Sequence, residues 1–157
     1  MTTTATSAKI IGPTDGESVT IQTIGVRFMI PGADSDARFS LVEHPMPPRA
    51  LAAPLHRHNR EDEYSFVVEA GPGDLVYKPR GQWHTFWNAG DEPARILEII
   101  SPAGFERFFA ELAPLSLGGA PDPEAFGELC GRYALDMQPE CLPGLCTRFG
   151  VWFPGVE

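Results

Sequence analysis

Apolar positions follow two different rhythms along this chain. From Lys9 to about Ser101, short runs rich in β-branched and aromatic residues recur between Gly, Pro and Asp: Val19–Ile24, Val26–Ile30, Arg38–Val42, Tyr64–Val68, Leu75–Tyr77 and Arg95–Ile100. Short strands punctuated in this way predict an antiparallel sandwich or barrel. After Ser101-Pro102 the rhythm becomes helical. Phe105, Phe108, Phe109 and Leu112 stand at i, i+3, i+4 and i+7, which is one apolar face of an amphipathic helix. Pro114 to Pro121 is a Gly/Pro-rich link. Asp122-Pro123-Glu124 then reads as a helix start, with Asp at the N-cap and Pro just inside, leading into Ala125–Cys130. The tail from Pro139 to Glu157 predicts a short helix and extended cover. The chain therefore divides into residues 1–8, expected to be disordered, a β-barrel domain over 9–101, and a helical extension over 102–157 packed on the barrel.

Composition narrows the function. At 157 residues, 43% hydrophobic and 21% charged, the chain suits one globular domain with one core. Its net charge is −9, and only two of twelve basic residues are lysines (Lys9 and Lys78). With no basic stripe, a phosphate backbone would be repelled, so nucleic acid is not an expected partner. The apolar runs are too short and too interrupted to cross a bilayer. The first residues lack the basic and apolar regions of a secretory signal, and Cys130, Cys141 and Cys146 show no Cys-x-x-Cys spacing. Reduced thiols in a cytoplasmic protein are expected.

The candidate chemistry lies between positions 56 and 84, which hold three of the four histidines. His56-Arg57-His58 on a strand would project both imidazoles to one face and Arg57 to the other. After the turn Asn59-Arg60-Glu61-Asp62, Glu63 could return a carboxylate to that face, with Glu61 or Asp62 as substitutes. Farther on, Pro79 and Gly81 shape a turn before His84. Three imidazoles and a carboxylate suit Fe(II), Mn(II), Ni(II), Co(II) or Zn(II) equally on ligand type. By strand parity Phe86 shares the face of His84 and, with Ser65 and Val67, is a candidate for the substrate pocket, while Trp83 and Trp87 pack outside. His44, before Pro45, reads as a loop or surface histidine, and Glu61 and Asp62 as solvated turn charges.

These residues resemble the two motifs of the cupin superfamily. His56-x-His58-x4-Glu63 is similar to the ligand core of the first, and Gly73-x5-Pro79-x-Gly81-x2-His84-x3-Asn88 matches the second without a substitution. The resemblance covers roughly Arg38 to Ser101 and is nearest to small, single-domain, quercetin-dioxygenase-like members. It implies an all-β jelly-roll barrel (a double-stranded β-helix), here with a short C-terminal helical extension. His56, His58, Glu63 and His84 would hold one divalent metal inside it. Two departures stand out. Ala50 and Ala70 occupy places where the first motif has glycine, and Glu69-Ala70-Gly71-Pro72-Gly73 replaces a longer hairpin between the motifs. In the family's arrangement the strands flanking that hairpin are antiparallel neighbours, so a short turn could join them. Alternatively a segment is missing from the recorded sequence. A true deletion would open an edge in the opposite sheet, to be covered by the C-terminal segment or by a partner chain, so a homodimer is expected.

Three functions follow from the resemblance. The first is a dioxygenase-type oxidoreductase acting on a small organic substrate, with Glu63 also taking a substrate proton as general base. The second is an isomerase, cyclase, decarboxylase or lyase using the same metal without O₂. The third, a small-ligand-binding module without catalysis, has no need of four metal-binding side chains.

Overall fold

The computed structural model describes residues 8–67 and 74–156, so residues 1–7, of the stretch expected to be disordered, and the Ala70–Gly73 connection lie outside the described residues. The strands are β1 (Ser18–Ile21), β2 (Ile24–Ile30), β3 (Ser40–Met46), β4 (Leu55–His58), β5 (Asp62–Val67), β6 (Leu75–Lys78), β7 (Ala94–Ser101) and β8 (Leu135–Gln138). Six of them form one antiparallel sheet in the order β1-β2-β3-β7-β5-β6. Facing it, β4 pairs with β8, and isolated bridges join His56 to His84 and Leu51 to Trp87. The result is a jelly-roll barrel.

The run Val19–Ile24 forms a hairpin instead of one strand. Gln22 adopts φ 51°, and the Thr23 hydroxyl donates to the Leu51 carbonyl at 2.6 Å, so the chain reverses after Ile21. Both Ile21 and Ile24 end buried. Strands β5 and β6 are antiparallel neighbours, with Glu63 opposite Lys78 and Phe66 opposite Leu75. The strands flanking the short connection are therefore adjacent, as the family's arrangement implies. The β4 edge expected to lie open is paired by β8, so the C-terminal segment closes it.

Strand alternation places two rows on the sheet's inner face: Ser40, Ile100, Glu63 and Lys78, then Val42, Glu98, Ser65 and Val76. Val42 and Ile100 of these rows pack with Phe105 and with Phe108 and Leu112 of α1 (Glu106–Leu115) and Leu129 of α2 (Pro123–Arg132) in the main core. Asp122 caps α2 by accepting from the amides of Glu124 and Ala125, with Pro123 in the first turn. A third helix, α3 (Leu142–Phe149), leads to Trp152, whose amide donates to the Arg49 carbonyl. No helix among the described residues is long and apolar enough to cross a membrane.

Candidate metal centre

His56 and His84 are brought together by the backbone. Each donates its amide to the other's carbonyl, at 2.9 and 2.8 Å, so the two residues sit directly opposite in an isolated antiparallel bridge, His84 lying between β6 and β7 and not on a strand. The second partner arrives through a turn at Pro79–Gln82, in which Gly81 takes φ 79° and donates its amide to the His58 carbonyl at 2.7 Å. On β4, alternation buries His56 and His58 and leaves Arg57 outside, where it pairs with Asp136 and lies over Trp83. The ligating nitrogens of His56, His58 and His84 fall within 4.8 Å of one another, a group able to hold a metal ion.

What stands behind two of these rings sets their chemistry. His56 Nδ1 is 2.8 Å from the Pro54 carbonyl, and His84 Nδ1 is 3.0 Å from the Gln82 carbonyl. A carbonyl only accepts, so each Nδ1 carries the proton and each Nε2 keeps a lone pair, the arrangement common in metal-ligating histidines. Burial, reinforced by His84 and His58, pushes His56 down to about 3, which keeps it neutral near pH 7. The Glu63 carboxylate faces the same space, with Oε1 3.1 Å from His58 Nε2 and Oε2 3.1 Å from His84 Nε2. His58 Nε2 is buried and makes no hydrogen bond. Imidazole lone pairs directed at a carboxylate repel unless a cation or a proton lies between them. The donor set therefore fits a divalent ion.

Sequence reading missed the polar network behind Glu63. Lys78 Nζ lies 2.7 Å from Glu63 Oε2 and 2.5 Å from Glu98 Oε1. Glu98 also accepts from Ser65 Oγ at 2.8 Å and faces His44 Nε2 at 3.0 Å. Burial alone would push the Glu63 carboxyl up, but Lys78 and the two histidines outweigh it and hold it well below the usual range. His44 is not on a loop or at the surface: it sits inside β3 at 1% exposure, against Phe86 and Phe109. The available signal was parity, because β3 and β7 face inward at alternate positions and thereby aim His44 and Glu98 into the barrel. Glu61, expected to be solvated, is buried, and desolvation pushes its carboxyl up; Asp62 instead pairs with Arg80.

Two spaces meet at the centre. A small cavity of about 70 Å³ touches His56, His58 and Glu63 and is walled by Phe86, Phe105 and Phe109. An open groove of about 400 Å³ reaches His84 and Lys78 from the β6 side, and Ser65, Val67 and Phe86 all line it. Trp87, expected to pack outside, stacks on Phe149 at 4.3 Å and also lines this groove.

The family model described as "Cupin domain" matches residues 67–100, which include the second motif through His84 and β7. Solved structures share the architecture. KdgF from Halomonas sp. superposes with a TM-score of 0.55 at 14% identity, over 64% of this chain and 99% of that one. The fold is that of a cupin. The polyketide cyclase RemF from Streptomyces resistomycificus aligns on this cupin barrel with a TM-score of 0.51 at 25% identity, over 60% of this chain and 80% of that one. An oxalate decarboxylase variant (B. subtilis) aligns with a TM-score of 0.52 at 18% identity, over 64% of this chain and 31% of that one. No curated protein sequence matches the chain.

Proposed function

We propose that this cupin is a metal-dependent enzyme acting on a small organic molecule, in a reaction of the non-haem dioxygenase type. His56, His58 and His84 hold one divalent transition ion, with Glu63 as the fourth donor. The observation that supports this most is the grouping of three imidazoles, two of them buried, with the Glu63 carboxylate 3.1 Å from His58 and His84, and with carbonyls behind the His56 and His84 rings. Held by these four side chains, such an ion would supply the chemistry that lets an enolate or catecholate react with O₂.

The chain's own residues do the rest. Phe86 and Phe105 wall the centre with apolar surface. Lys78 keeps Glu63 anionic, and Glu63 takes the substrate's hydroxyl proton. Oxygen uptake by metal-loaded protein, screened over catechols and enols, tests the reading. A substrate that consumes O₂ supports it, and turnover undiminished without O₂ contradicts it. With that substrate in hand, Glu63→Gln keeps much of the ion but loses on the order of 10²–10⁴ in turnover, because an amide cannot accept the proton. Near-normal turnover would remove Glu63 from the chemistry.

One observation favours a second reading. At 25% identity, RemF is a polyketide cyclase. The same ion could act as a Lewis acid in cyclisation, isomerisation or decarboxylation without O₂, and anaerobic turnover is its signature.

A further inference from the structure

His58 differs from its two neighbours in what stands behind its ring. His56 and His84 each donate a hydrogen bond from Nδ1 to a carbonyl two residues upstream. His58 Nδ1 is buried and has no hydrogen-bond partner. Facing it, 4.0 Å away, is Glu61 Oε2, which is also buried and also without a partner. The two side chains are 3% and 7% exposed, so water does not readily substitute. Interiors rarely leave one such atom unmatched, and two that face each other call for an explanation.

We infer that Glu61 is the positioning residue for His58, accepting a hydrogen bond from its Nδ1–H when the ring's other nitrogen is taken by a metal ion. The inference rests on the metal reading above. A neutral imidazole carries one proton, and it has two places to sit. Without an ion, that proton has room on Nε2, which faces Glu63 Oε1 at 3.1 Å although the geometry there makes no hydrogen bond. An ion on Nε2 excludes it there, so the proton must occupy Nδ1, where Glu61 is the acceptor in front of it. A contraction of about 1 Å turns the 4.0 Å approach into an ordinary hydrogen bond. Glu61 would then do for His58 what the Pro54 and Gln82 carbonyls do for His56 and His84, but only in the loaded protein. Its position in the turn between β4 and β5, three residues after His58, fixes the approach.

Competition titration with Co(II) alone as probe, paired with thermal melts of the metal-free proteins, tests this on wild type, Glu61→Gln and Glu61→Ala. Glu61→Ala is expected to bind Co(II) about 10–100-fold more weakly, the usual loss when the group behind a ligating histidine is removed. Glu61→Gln should fall between, since its amide oxygen still accepts. Metal-free Glu61→Gln should melt no lower than wild type, because it no longer buries a carboxylate with an unpartnered oxygen. Weaker metal binding without loss of metal-free stability is something a purely structural residue would not produce. Wild-type Co(II) affinity in both variants would overturn the inference alone. An affinity loss that only tracks lost metal-free stability would do the same. Failure of wild type itself to bind Co(II) would overturn the metal reading along with it.

Discussion

Lys78 holds together the acidic half of the barrel interior. It faces Glu63 across the β5–β6 ladder, and its ammonium reaches Glu98 one strand farther. Burial would lower Lys78, yet the two carboxylates reverse that and raise it. Replacing it with Met leaves two carboxylates buried without their cation, which typically costs ~3–5 kcal/mol. Urea unfolding of Lys78→Met should show a loss of that size, and a loss below ~1 kcal/mol would mean that water reaches the pair. Acid works on the same network. Burial and Glu63 push Glu98 up, but Lys78 and His44 more than offset them and hold it at about 2, against an ordinary 4.5. A carboxyl depressed on folding adds stability that is complete above pH 4.5 and disappears as the pH falls to about 2. Metal-free Glu98→Gln should therefore lose less stability than wild type across that window, as read from denaturant midpoints. His56, His58, Glu63 and His84 were legible because strand parity and motif spacing are local properties. Lys78, Glu98 and His44 were not, because their meeting depends on which strands are neighbours.

Elements differ in the same way. Helices α1 and α2 could be read from apolar spacing and the Asp122-Pro123 start, signals that act within a few residues. Strand β8 carries no such signal: Leu135-Asp136-Met137-Gln138 is four residues long and follows helix directly. It becomes a strand because β4 needs an edge partner, and its register sets Leu135 opposite His58 and Met137 opposite His56. The element bearing two candidate ligands is thus braced by the C-terminal extension. Leu135 is buried in the main core. Leu135→Ala should cost ~2–5 kcal/mol in urea unfolding, the range for an aliphatic core truncation. A neutral result would show that β8 does not brace β4.

Across the whole molecule, β8 removes the open β4 edge as a reason to expect a partner, but another edge exists. Among the described residues β6 ends the large sheet, and the outer face beside it exposes Phe66 (43%), Leu75 (64%), Tyr77 (54%) and Ile99 (41%). An apolar face beside an unpaired edge is usually covered. We therefore propose a homodimer through this face. Light scattering should give a dimer at micromolar concentration and a monomer for Leu75→Glu with Tyr77→Glu, whereas a monomeric wild type would contradict it.

All these scales meet in the claim that the barrel holds one ion on its histidines. Elemental analysis of protein purified without chelators, alongside His56→Ala and His58→Ala, tests it directly. One equivalent of a divalent transition metal per chain, absent from both variants, is the predicted result. Full occupancy in both variants would contradict the assignment.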